Sequence, residues 1–192
     1  AALTGAGLPV FIVGDMANEI ATAAGAPATL VYRPPSYLER LDLEQVFTTR
    51  QPLELELGAG DGSFLLQRAK LHPERNFLGV ERLLGRLRKV DRKGRRAGLT
   101  NLRIVRLEAS YFLEYLMPKA SVQALHLYFP DPWPKRKHWR HRLVNAHFTQ
   151  VTSQVLAPEG VIYLRTDNED YFAQMQSVFK ANPRFRPVEI PP

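Results

Sequence analysis

Residues 53–62 read Leu53-Glu54-Leu55-Glu56-Leu57-Gly58-Ala59-Gly60-Asp61-Gly62. Five alternating residues form a strand, which runs into a turn of three spaced glycines and then a helix. Glycine is needed where a backbone must take positive φ or let a ligand approach closely. The spacing narrows the ligand. A dinucleotide fingerprint has the form G-x-G-x-x-G, with a pyrophosphate seated at the helix N-terminus. Here the glycines fall at 58, 60 and 62, and Ser63 stands where the third glycine of that fingerprint belongs. A nicotinamide-dependent oxidoreductase is disfavoured on that ground.

Working outward, short apolar runs alternate with helical stretches. Strands are expected at 53–57, 76–80, 102–107, 122–129 and 160–166. Helices are expected near 62–71, 82–97, 109–116, 140–156 and 168–181. That alternation predicts an α/β fold with a doubly wound, mostly parallel sheet. Upstream, Ser36 with Glu39 has the form of a capping box and predicts a helix to about Phe47. Residues 1–35 read as a poorly specified extension ending at Pro34-Pro35, and 36–192 as one domain. The stretch 184–190 reads as the start of a further strand.

Two acids join the glycine turn. Glu81 closes the second strand about twenty residues past the turn, where a carboxylate can accept from ribose hydroxyls. Glu108, followed by Ala109, closes the third, within reach of an adenine amino group. Each alone could be an ordinary surface carboxylate. Together on the carboxyl edge of one sheet they point to a nucleoside-bearing cofactor.

The fourth strand ends in Pro130-Asp131-Pro132-Trp133-Pro134-Lys135. Three prolines fix φ and make a stiff loop, of the kind that holds an acid and an aromatic in place. Basic and aromatic residues interleave from Lys135 to Arg142, as phosphate contact plus base stacking requires.

Charge agrees with this. The chain carries a net +7, but residues 82–96 alone carry +7 and 135–142 carry +5, so the rest nets −5. Two dense basic patches on an otherwise acidic domain point to a polyanion. In 82–96 the apolar stripe Leu83, Leu87, Val90, Gly94 and Ala97 lies beside a basic stripe of Arg82, Arg86, Lys89, Lys93 and Arg96. The absence of cysteine excludes disulfides, thiolate nucleophiles and Cys-ligated zinc. The five histidines lack ligand spacing, so no metal is expected. No apolar run approaches the roughly 20 residues of a membrane span. The N-terminal stretch has no basic start of the signal-peptide kind, and a cytoplasmic protein is expected.

Residues 53–182 resemble the bacterial tRNA (guanine-N7-)-methyltransferase family, whose signature couples a PDPWPK loop to a K/R/H-rich segment. The resemblance implies a Rossmann-like class I methyltransferase fold, with S-adenosylmethionine as cofactor, tRNA as partner, and a monomer or homodimer. It implies cofactor contacts from Glu56, Gly58, Gly60, Gly62, Glu81, Glu108, Ala109 and Asp131, with Asp131 also the active-site acid. Lys135 and Asp167 would contact the substrate. RNA would be touched by Lys137, His138, Trp139, Arg140, His141 and Arg142. The implied product is 7-methylguanosine at position 46 of the tRNA variable loop. Glu108 stands where the family more commonly has Asp, and Lys137 and His141 where it has Arg. The family's later T-x-F-E substrate motif has no counterpart before Pro192, so the closing strand pair is expected to be incomplete. Methylation of another RNA base and an inactive RNA-binding subunit are the alternatives.

Overall fold

In a computed structural model, residues 10–13 and 27–188 are described, the first four as backbone only. The chain forms β1 (Val10–Val13), α1 (Leu43–Val46), β2 (Leu53–Leu57), α2 (Ser63–Leu71), β3 (Asn76–Val80) and α3 (Leu84–Arg96). Then come β4 (Leu102–Val105), the short turn α4 (Ala109–Tyr111), β5 (Val122–Tyr128), α5 (Ala146–Val155), β6 (Leu156–Arg165), α6 (Glu169–Lys180) and β7 (Pro187–Val188). A π-helical turn, Phe112–Leu116, continues α4, and a 3-10 turn spans Arg136–His141.

The sheet order is β4-β3-β2-β5-β6-β1-β7, with the first five strands parallel and β1 antiparallel to both its neighbours. From the central β2 the chain winds outward through β3 and β4, then returns to β5 on the other side. The strand order therefore reverses between β2 and β5, and open α/β sheets bind ligands in the crevice at such a point.

Leu53, Leu55 and Leu57 of β2 point into the larger core with Leu125, Leu127 and Phe148. Glu54 and Glu56 share the opposite face, yet all five residues are buried. Glu54 is accommodated because Arg68, Arg75 and His126 surround it at 2.7, 3.1 and 2.9 Å. Burial alone pushes its carboxyl up, but hydrogen bonds from His126 and Arg68 outweigh it and hold the group at about 2. Burial in turn lowers the His126 pKa. A neutral ring donates from Nε2 to Glu54 and accepts at Nδ1 from the Tyr128 hydroxyl. A second core under α2 and α3 holds Leu65, Leu87, Val90 and Leu30.

Several expected boundaries are corrected. No helix begins at Ser36, whose hydroxyl instead accepts from the Leu38 amide in a local turn. Asp42 caps the short α1, through the Glu44 amide. The helix expected at 140–156 starts only at Ala146, capped by Asn145, because the preceding segment is spent in the 3-10 turn. It runs directly into β6, which begins at Leu156 rather than at 160. The strand expected at 102–107 ends at Val105. The apolar stripe of α3 is narrower than expected: Leu87, Val90 and Gly94 are buried, while Leu83 and Ala97 are exposed.

The extension drawn over 1–35 also contributes more than expected. Leu30 is fully buried, Val31 bridges Ile104, and β1 lies between β6 and β7. The strand expected over 184–190 is the two-residue β7, and positions 189–190 lie outside the described residues.

Candidate active site

The turns after β2 and β5 flank the switch point and frame a cleft of about 550 Å³. Gly58, Glu81, Glu108, Ala109 and Asp131 all line it, so one cavity collects the acids that sequence spacing assigned to one edge. Arg140, His141 and Trp133 lie along its rim.

The glycine turn is closed on itself. The Gly58 and Ala59 amides both donate to the Val80 carbonyl, and the Gly62 amide to that of Ala59. Gly60 donates to Glu81 Oε2 at 2.9 Å. With the Gly58, Ala59, Gly60 and Gly62 amides committed, the turn lacks the row of free N–H groups that cradles a diphosphate, which agrees with the glycine spacing. At Gly58 a Cβ would meet nothing within 4 Å, so open space stands over the turn for a ligand. Gly62 behaves differently. It is buried, and a Cβ there would come within 2.6 Å of Val90 Cγ2. Gly62, expected as a cofactor contact, does not line the cleft, and its lack of a side chain lets α2 lie against α3.

Glu81 is buried, its second oxygen accepting from the Leu83 amide at 2.7 Å, so the carboxylate is locked between the turn and the start of α3. Glu108 is the N-cap of α4. It accepts from the Ser110 amide and hydroxyl and the Tyr111 amide, at 3.0, 2.6 and 2.8 Å. Partial burial raises its pKa, but these donors outweigh that and hold it below the ordinary value.

Glu56 is the outlier. It does not line the cleft, and its side chain lies on the face of β2 opposite Leu57, with its Oε2 buried and without a hydrogen-bond partner. Burial, then the charges of Asp61 and Glu81, push its pKa up to about 8. An unpaired buried carboxyl is unfavourable unless a donor completes it. The orphaned oxygen, close enough to Asp61 and Glu81 to feel their charge, suits a donor from a ligand seated at the glycine turn.

Asp131 sits in a loop under strain. Phe129 and Trp133 adopt φ of +51° and +43°, in the left-handed region that side chains other than glycine avoid. Each such residue costs about 1–3 kcal/mol and persists only where its surroundings enforce it. Phe129 is held by its amide, which donates to the Arg165 carbonyl at 2.8 Å, and the Trp133 end of the loop is held by Arg142. Its Nε donates to the Pro132 carbonyl at 2.7 Å and its Nη1 to Gln174 Oε1 of α6 at 2.8 Å. Its guanidinium lies over Trp139 at 4.3 Å and Tyr171 at 4.8 Å. Arg142 is 1% exposed. Arg142 nonetheless lines the cleft and its Nη2 is buried without a hydrogen-bond partner, so the RNA contact expected of it falls on the cleft wall rather than on an exposed surface.

The other expected RNA contacts divide. Lys137, Arg140 and His141 are exposed, and His138 and His141 pack on the Trp133 ring at 5.8 and 5.1 Å. Trp139 is half-buried between Arg136 and Arg142. Lys135 and Asp167 are exposed but do not line the cleft. Sequence reasoning missed the lining pair His147 and Glu114, joined at 2.9 Å across 33 positions of chain. It assigned Arg82 and Arg86 to a basic stripe without placing them at the cleft mouth, where both lie. Among the described residues no group of His, Asp and Glu could hold a metal ion.

Comparisons with known proteins agree with this geometry. The model of a family described as "Putative methyltransferase" matches residues 50–190. A tRNA (guanine-N(7)-)-methyltransferase of Leifsonia xyli is 41% identical over 143 residues, 74% of this chain and 63% of that protein. One from Chromohalobacter salexigens is 37% identical over 152 residues, 79% of this chain and 62% of that protein. The chain thus spans about three-fifths of the length of these relatives. Among solved structures, a precorrin-6y C5,15-methyltransferase from Geobacter metallireducens aligns with a TM-score of 0.55 at 18% identity. That match covers 68% of this chain and 63% of that one, and it establishes the shared fold.

Proposed function

The chain belongs to that methyltransferase family, and on this premise we propose that it transfers a methyl group from S-adenosylmethionine to N7 of a guanosine in tRNA. The variable-loop guanosine 46 is the target, and the reaction takes place in the cytoplasm. The observation that carries the reading is the single cleft in which Gly58, Glu81 and Glu108 meet Asp131 and Trp133 at the switch point. The names of the relatives supply the substrate. Among the described residues no helix is long and apolar enough to cross a membrane.

The residues fit the cofactor. Glu56 would take its ammonium, Glu81 its ribose hydroxyls and Glu108 its adenine amino group. S-adenosylmethionine supplies a methyl carried on a positively charged sulfur. Guanine N7 has an in-plane lone pair at neutral pH, so no residue need act as base. The protein's work is alignment, which can contribute about 7–11 kcal/mol. The methylated ring is cationic, so the nearby Asp131 carboxylate favours it electrostatically. Asp131, which lines the cleft, would also accept from the guanine N1–H or amino group, donors that adenine does not present in that arrangement. The base reaches the cleft by extrusion from the folded tRNA.

The test is transfer of label from radioactive S-adenosylmethionine to unmodified tRNA. It uses this chain as it stands and extended by a relative's C-terminal segment. Label in 7-methylguanosine, abolished by Asp131→Ala, is expected. Label in a different nucleoside replaces the guanosine assignment with another RNA base. Cofactor and tRNA binding without label from either form makes the protein an inactive RNA-binding subunit.

A further inference from the structure

Arg82 and Arg86 open onto the cleft, and the helix they introduce continues away from it for thirteen residues, about 20 Å. Leu87, Val90 and Gly94 turn inward, so the whole opposite half of α3 faces solvent. That half is cationic along its length: Arg88, Lys89, Arg92, Lys93 and Arg96 are all exposed. Only two cations of α3 find an acid among the described residues, Lys93 with Asp61 and Arg95 with Asp91. Arg88–Arg92, Lys89–Lys93 and Arg92–Arg96 are like-charged neighbours one turn apart, an arrangement that repels itself.

A groove between α2 and α3 adds shape to the charge. It has a volume of about 340 Å³ and is lined by Lys70, Arg92, Lys93 and Arg96, with Leu66 and Ala97 and no acid. A concave site with four cations around it suits a group carrying several anionic oxygens. Because the cationic face runs without a break from the cleft mouth to this groove, its occupant should be continuous with what sits in the cleft.

We propose that the outer face of α3 and the α2–α3 groove form a second docking surface for the substrate tRNA, which binds its sugar–phosphate backbone as it leaves the cleft. The surface rests on the tRNA reading above. Its contribution is to affinity and placement of the tRNA. Chemistry at the guanosine stays with the Asp131 loop. Contacts of this kind read charge and spacing rather than sequence.

The test compares the wild-type chain with the combined variant Arg88→Gln, Arg92→Gln, Arg96→Gln, whose changed residues lie outside the cleft. Binding of fluorescent unmodified tRNA is followed across a range of salt concentrations. Each lost phosphate contact lowers the slope of log affinity against log salt by about one, so a drop of about three is expected. The KM for tRNA should rise about tenfold or more, with kcat, cofactor KM and melting temperature unchanged. A second variant, Arg50→Gln, Lys119→Gln, Lys180→Gln, removes the same charge elsewhere and should leave the slope near wild type. An unchanged slope in the α3 variant overturns the proposal, as does an equal drop in both variants, which would report net charge alone. Loss of binding to vesicles of equal parts phosphatidylserine and phosphatidylcholine, with tRNA binding intact, also overturns it in favour of a membrane surface. If the slope drops as expected while the wild-type chain methylates no tRNA, the docking surface stands and the proposed reaction falls.

Discussion

Glu56 carries the sharpest consequence at the scale of single residues. Its pKa stands at about 8 in the fold against an ordinary 4.5, so the folded state holds a proton that the unfolded chain releases between these values. Stability should therefore fall as pH rises from about 4.5 to 8. Glu56→Gln removes that loss, and its melting temperature should exceed that of wild type at pH 8 and converge with it below pH 4.5. A cationic amine favours the ionised carboxyl, so S-adenosylmethionine affinity should rise between pH 6 and 8 with release of a proton. Calorimetry in buffers of different ionisation enthalpy measures that release; a pH-independent affinity in wild type would refute the assignment. Arg142 makes the opposite kind of prediction. Arg142→Ala leaves the Pro132 carbonyl and Gln174 Oε1 without their donor, each costing about 1–3 kcal/mol. Denaturant unfolding should register the loss and kcat should drop, while the salt slope of tRNA binding stays at the wild-type value. A lowered slope with intact stability would return Arg142 to the RNA surface.

Elements obey the same physics on a longer range. The α2–α3 contact depends on Gly62, which has φ +75° as well as Val90 against it. Gly62→Ala should lower stability by about 1–3 kcal/mol, and adding Val90→Ala should relieve the clash but not the dihedral strain. A thermal melt of the double variant at or below that of the single one would contradict this. On the same side of β2, Glu54 at about 2 in the fold stabilises above its ordinary 4.5. That contribution fades as pH falls from 4.5 toward 2, so acid unfolding of Glu54→Gln should be less steep over this range than that of wild type. Removing the charge takes the shared carboxylate from Arg68, Arg75 and His126, and neutral-pH stability should drop. The parallel strands were legible because central strands read as short apolar runs, and the start of α2 because glycines announced it. Element ends were harder to place. Ser36 and Asp42 are both acceptable caps, and only packing of Leu41, Val46 and Phe47 into the core selects the later one. Likewise nothing local announces that the chain after Lys135 winds into a 3-10 turn around Trp139, since Arg142 fixes it through contacts with α6.

Taken whole, the molecule places its chemistry where strand order reverses and its charge where the outer helix leaves that point. The acids Glu81, Glu108 and Asp131 could be brought together in advance because each follows the end of a parallel strand by one to three residues, and those ends share an edge in this topology. The His147–Glu114 pair could not, because it joins elements distant in sequence, nor could the positive φ of Phe129 and Trp133, which accompany tertiary contacts from Arg165 and Arg142 to the loop. On the proposed reading the cleft presents guanine N7, and no other atom, for methylation. That reading is tested most directly with a tRNA carrying 7-deazaguanosine at position 46, where a C–H replaces the nucleophilic nitrogen. The chain, alone and extended by a relative's C-terminal segment, should bind this tRNA as a competitive inhibitor of ordinary tRNA and transfer no methyl to it. Transfer to the 7-deaza substrate at the rate seen with guanosine would contradict the account.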